Sequence, residues 1–174
     1  MTEIKQILFD EETIAAKVED LAKRISADYA GKDLVLICIL KAAVMFTTDL
    51  MRSITVPAVV EFIQAASYGK STTSSRNVVI VQDLKEDIAN RHILLLDTII
   101  DTGETLHTLL KLLSERKPAS LDVAVLLDKK CRRIVEVPVA YKGFDIPDDF
   151  VVGYGMDCGE QFRNLPYIAA LETR

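Results

Sequence analysis

Two carboxylates and a threonine–glycine turn stand close together in ILLLDTIIDTGETLHTLL, from Ile93 to Leu110. Four aliphatic residues, Ile93 to Leu96, read as a strand buried on both faces, and they deliver Asp97 and then Asp101. Thr102, Gly103, Glu104 and Thr105 follow as a turn into the N-terminus of a leucine-rich helix. Successive backbone N–H groups at such a turn make an anion nest, and two threonine hydroxyls add donors. A phosphate at the turn and acids behind it could hold a phosphorylated sugar between them. The carboxylates would accept from ribose hydroxyls or bind a divalent cation through oxygen. Asp101 or Thr102 serving only as a helix cap is the plain alternative, common for these residue types. A cap, however, does not need Asp97 at the end of a buried strand.

Several elements must position these groups. Ile14, Val18, Leu21, Ile25 and Tyr29 fall on one stripe and predict a helix from about Glu11 to Tyr29, ended by Gly31. LVLICIL (Leu34 to Leu40), VVEFIQAAS (Val59 to Ser67), VVIVQDL (Val78 to Leu84), ILLLDTI and DVAVLLDK (Asp122 to Lys129) read as strands. A second helix follows Lys41 through Phe46 and Leu50. A third carries Leu106, Leu109, Leu110 and Leu113 and stops before Pro118. Aliphatic strands alternating with amphipathic helices indicate one α/β domain over residues 1–174, with a mostly parallel sheet covered on both faces. Ligands of such sheets bind beyond the carboxyl ends of the strands. Lys41, Ser67 to Ser75, Asp97 to Thr105 and Lys129 therefore share one rim. The tail FDIPDDFVVGYGMDCGEQFRNLPYIAALE adds a small flap or extra strands at the same edge.

Composition narrows the function classes. A chain of 174 residues, 49% hydrophobic and 27% charged, suits one globular domain with a substantial core. No apolar run reaches the roughly 18–20 residues of a membrane span, and the N-terminus has no secretory pattern. Cys38, Cys131 and Cys158 are odd in number and far apart, which suits a reducing cytoplasm and no zinc site. A net charge of -5 argues against broad nucleic-acid binding, while leaving room for a phosphorylated substrate.

LLLDTIIDTGETL resembles the phosphoribosyl-pyrophosphate (PRPP) motif of the type I phosphoribosyltransferases. The whole chain is similar to the hypoxanthine-guanine members, through FVVGYGMDCGEQFRNLPYIAALE. The resemblance implies the type I fold, a central mostly parallel sheet with a small hood, and Mg2+-dependent purine salvage. Hypoxanthine or guanine plus PRPP would give the nucleoside monophosphate and pyrophosphate. It implies that Asp101 faces the purine N7 as general base or acid, and that Thr102, Gly103, Glu104 and Thr105 wrap the 5'-phosphate. Asp97 takes the first place of the acidic pair serving ribose hydroxyls and magnesium, and Thr98 the second. Leu40 and Lys41 resemble the pyrophosphate loop, with its non-proline cis peptide, and Arg163 the arginine reaching pyrophosphate. Ser67 and Tyr68 begin what resembles a mobile loop that closes over the site. Lys129 matches the lysine donating to the purine 6-oxo group, Phe150 the stacking aromatic, Val151 a source of backbone contacts, and Asp157 the acid near the second magnesium. The family also suggests a homodimer or homotetramer.

Three positions depart from the pattern. Thr98 replaces the second acid, Ala42-Ala43 replaces a glycine-containing pair, and Glu104 places an acid beside a phosphate. Thr98 and Ala42 would suit a nucleotide-sensing, RNA-binding regulator on the same fold. The acidic charge and the set Lys129, Phe150 and Asp157 favour a transferase, with xanthine preference as the variant reading. Other features have plainer readings. Gly69-Lys70-Ser71 lacks the upstream glycine of a P-loop, that position being Gln64. His92 and His107 have no metal-ligand spacing, and Cys158 reads as a packed thiol. The basic run Lys129-Lys130 and Arg132-Arg133 reads as a solvated face, apart from Lys129 at its strand end.

Overall fold

The computed structural model describes residues 3–68 and 77–172. Six strands form the main sheet: β2 (Leu34–Leu40), β3 (Ala58–Tyr68), β4 (Asn77–Gln82), β5 (His92–Ile100), β6 (Ser120–Asp128) and β7 (Tyr141–Asp145). Their order is β4-β3-β2-β5-β6-β7. The most aliphatic runs, β2 and β5, take the centre, where neither face meets water. Every pairing is parallel except β3 with β4, which is antiparallel.

Side chains alternate across this sheet and so feed two cores. On one face, α1 (Glu11–Asp28) and α2 (Val44–Ser53) cover Leu34, Leu36, Leu94 and Leu96. On the other, α3 (Glu104–Ser114) lays Leu106, Leu109 and Leu113 over Val35, Ile37, Ile93 and Leu95. Each fully buried aliphatic side chain of this kind contributes about 1.5–3 kcal/mol. Asp10 starts α1 by accepting the Thr13 N–H at 2.8 Å. No helix among the described residues is long and apolar enough to cross a membrane.

The expected flap is a second, antiparallel sheet of order β1-β9-β8, made of β1 (Ile4–Phe9), β8 (Val151–Val152) and β9 (Ile168–Leu171). β2 has the limits read from the sequence, and the three helices fall where their stripes placed them.

β5 differs in a way that matters. It runs one residue beyond ILLLDTI at each end, from His92 to Ile100, so Asp97 lies within the strand and Asp101, not Asp97, stands at its end. Pairing explains the extension. The β2 partnership stops at Cys38 opposite Leu96, whereas the β6 partnership runs on to Ile100 opposite Asp128. Beyond Leu96 the strand keeps its β ladder with β6 alone. Ser67 and Tyr68 are the last residues of β3, opposite Val78 and Asn77. Residues 69–75, where the rest of that loop was expected, lie outside the described residues.

Candidate active site

The free end of β5 leads into a pocket of about 120 Å³ walled by Asp97, Asp101, Thr102, Gly103 and Thr105. Gly103 begins the turn into α3 with φ +88, a left-handed conformation that glycine adopts without penalty. A Cβ there would lie 2.3 Å from the Val135 carbonyl oxygen, so the position is closed to any side chain. The Thr102 carbonyl accepts the N–H groups of Ile134 and Val135 at 2.9 and 3.0 Å, pinning the turn from behind. Arg133 reinforces it by donating Nε–H to the Asp101 carbonyl at 3.0 Å while its guanidinium pairs with buried Asp128. Gly103→Ala is expected to destabilise the fold by more than about 1 kcal/mol, through the wrong φ and the clash together. Denaturant midpoints of the two proteins measure this, and an unchanged midpoint refutes it.

Burial pushes the Asp97 carboxyl up to about 7, against backbone N–H bonds from Thr98 and Ile99 that favour its charged form. Glu104 does not wall the pocket; its carboxylate accepts the Thr102 hydroxyl at 3.3 Å. Thr98 is not brought to the site either. It is fully buried, and its hydroxyl donates to the Ala42 carbonyl at 2.9 Å, which ties the loop after β2 to β5. The threonine at the expected second-acid position thus supports a neighbouring loop instead of facing a ligand. Thr98→Val keeps the shape but orphans that bond, and should lower unfolding free energy by about 1–2 kcal/mol. Equal stability in a urea titration would remove the tie.

A second pocket, of about 260 Å³, is walled by Ala42, Asp101, Lys129, Phe150, Val151 and Asp157. Lys129 is 5% exposed, and its ammonium donates to the Asp149 carbonyl at 2.7 Å. Phe150 is 46% exposed, so much of the residue remains open to a ligand. Asp101 Oδ1 is buried without a hydrogen-bond partner. Its neighbour Arg132 Nε, at 3.6 Å, is too far for a bond. An unsatisfied carboxylate oxygen between two pockets is a group poised to accept a proton or hydrogen bond from a ligand.

Leu40 and Lys41 lead into contact with the C-terminal segment. The Leu40–Lys41 peptide is cis, and Ala42 is not among the residues of positive φ, so alanine there is unstrained. Lys41 Nζ lies 2.9 Å from Glu160, and Arg163 lies 2.9 Å from Asp157 and 3.2 Å from Glu160. Among the described residues, no three His, Cys, Asp or Glu side chains gather as a metal cage. A larger concavity of about 570 Å³ lies between α1, α2 and residues 163–166. Size does not decide the site, because neither Asp97 nor Asp101 lines that concavity. The sequence reads Arg132 and Arg133 as a solvated face and gives no role to Asp128 or Glu160. The basic run after Lys129 was the available signal, and only an acid facing it across the fold gives it meaning.

Comparison with known proteins agrees with this geometry. Residues 5–158 match the phosphoribosyl transferase domain. The chain is 46% identical to the hypoxanthine-guanine phosphoribosyltransferase of Mycobacterium avium, covering 99% of this chain and 88% of that one. It is 43% identical to the hypoxanthine phosphoribosyltransferase of Escherichia coli strain K12, covering 94% and 93%. The crystal structure of a hypoxanthine phosphoribosyltransferase from Staphylococcus aureus superposes with a TM-score of 0.94 at 41% identity, over 97% of this chain and 92% of that one. With a matching domain over most of its length and relatives this close, the chain belongs to the phosphoribosyltransferase family.

Proposed function

We propose that this chain, acting as one domain over residues 1–174, transfers a phosphoribosyl group from PRPP to hypoxanthine or guanine and releases pyrophosphate. One observation carries the reading: Asp101 stands in the wall of both pockets, between the nest at the α3 N-terminus and the pocket of Lys129 and Phe150. A bond between a sugar phosphate and a planar base must form at such a junction. The names of the relatives in Mycobacterium avium and Escherichia coli support the same assignment.

The roles follow from placement. The amides and hydroxyls of Thr102, Gly103 and Thr105 hold the 5'-phosphate, which fixes the sugar in one orientation. Asp97, half-buried behind them, accepts from ribose hydroxyls. Phe150 stacks on the base, Val151 contributes backbone contacts, and Lys129 donates to the 6-oxo group. Asp101 takes or returns the N7 proton as the bond to the ribose forms. Lys41 and Arg163 hold the pyrophosphate.

Magnesium is the proposed cofactor, and the residues present fit it. Asp97 walls the pocket at the turn and Asp157 the pocket of Lys129, so each could give carboxylate oxygen to a separate ion that shares its coordination with substrate phosphates and water rather than a protein cage. Bound there, magnesium neutralises charge developing on the leaving group. The free cysteines support a cytoplasmic enzyme. The partly exposed Phe62, Val79 and Val81 of β3 and β4 support a homodimer or homotetramer. The assignment is tested by incubating the protein with PRPP, magnesium and each purine and measuring nucleotide and pyrophosphate together. Neither product from hypoxanthine or guanine would overturn it.

A further inference from the structure

Residues 157–163 form a turn built around one exposed carboxylate. Cys158 and Gln161 exchange backbone hydrogen bonds at 3.2 Å in both directions. The two residues between them, Gly159 and Glu160, have φ of 60 and 66. That is the pattern of a tight turn with both central residues left-handed, where glycine and asparagine are usual and glutamate is not. The Glu160 N–H donates to Asp157 at 2.8 Å, which fixes the turn against its own base. Thus held, the Glu160 carboxylate spans two cations, with Oε2 2.9 Å from Lys41 Nζ and Oε1 3.2 Å from Arg163.

We propose that Glu160 is an internal counter-anion of the pyrophosphate site, competing with incoming phosphate oxygens for Lys41 and Arg163. The inference rests on the assignment of those two cations to pyrophosphate. One carboxylate engages one cation through each oxygen, as a diphosphate would. The arrangement is built to let go. Lys41 and Glu160 side chains are 55% and 64% exposed, and pairs so open to water are weak. Arg163 keeps its bonds to the Gly155 carbonyl and Asp157 when Glu160 leaves, so one cation stays in place and the other is freed. A diphosphate outcompetes a carboxylate for both, since it carries more charge. Glu160 then remains beside it as a like charge. Both effects weaken the hold on pyrophosphate and favour its departure as product.

The opposite role predicts the opposite sign. If Glu160 only props Lys41 in position, its removal weakens pyrophosphate binding. Calorimetric titration of the full chain with inorganic pyrophosphate in magnesium buffer, beside the KM for PRPP, separates the two. Glu160→Gln and Glu160→Ala, both at an exposed side chain, are expected to bind pyrophosphate about three- to tenfold more tightly, with a lower KM for PRPP. Wild-type binding with both variants equal or weaker overturns the counter-anion alone. Failure of the wild type and both variants to bind either pyrophosphate or PRPP overturns the site assignment, and the counter-anion with it.

Discussion

Asp101→Asn is expected to cut turnover by about 10²- to 10⁴-fold while the affinity for PRPP changes little. Asparagine fills the same space and can still accept a hydrogen bond, but it cannot take the N7 proton. The change is also gentle on the fold. The backbone of Asp101 is held independently of its side chain, by the Arg133 bond to its carbonyl. Its Oδ1 has no hydrogen bond to lose. Steady-state kinetics with PRPP varied at saturating hypoxanthine gives turnover and KM separately. A variant with near-normal turnover would reduce Asp101 to a residue of the helix entry.

Adenine should be rejected by about 10⁴-fold relative to hypoxanthine, and Lys129 is the reason. An ammonium group has three donors and no acceptor, so it suits the 6-oxo oxygen of hypoxanthine or guanine and opposes the 6-amino group of adenine. One donor is already committed to the Asp149 carbonyl, which aims the group from a position almost closed to water. Water cannot then rescue the mismatch. Lys129→Ala should lower kcat/KM for hypoxanthine by about 10²-fold, the worth of a charge-assisted bond in a dry site, and leave the poor adenine rate nearly unchanged. Competition assays with labelled purines read both numbers. Equal use of adenine and hypoxanthine by the unmutated protein would remove the base pocket from this position.

Local signals carried much of this into the sequence. The leucine and isoleucine runs of β2 and β5 announce central strands, and the threonine–glycine turn announces an anion nest. What was not legible depends on partners far along the chain. β1 shows no alternation, being exposed over most of its length, and its partner β9 lies near the other end. The last residue of β5, Ile100, is set by its pairing with Asp128 of β6, which no local signal shows. Thr98 looked like a weakened acid because the motif supplied its meaning. Its bond to Ala42 could not be read from either residue. Likewise Arg133 looked like surface charge until Asp128 and the Asp101 carbonyl were seen around it.

The small sheet joins segments from opposite ends of the chain, since β8 pairs with β9 and β9 with β1. Phe150 and Val151, which wall the base pocket, gain that backing only when Ile168–Leu171 is in place. During synthesis the turn at Thr102 to Thr105, and Val135 that pins it, emerge before the strand that backs Phe150 and Val151. On the proposed roles, the residues for a sugar phosphate are made first and those for choosing a base last. Ile168 of that last strand shares its core with Leu36 and Leu94 of the central strands, so ribosome-stalled chains should leave both regions open to proteolysis until Ile168–Leu171 has emerged.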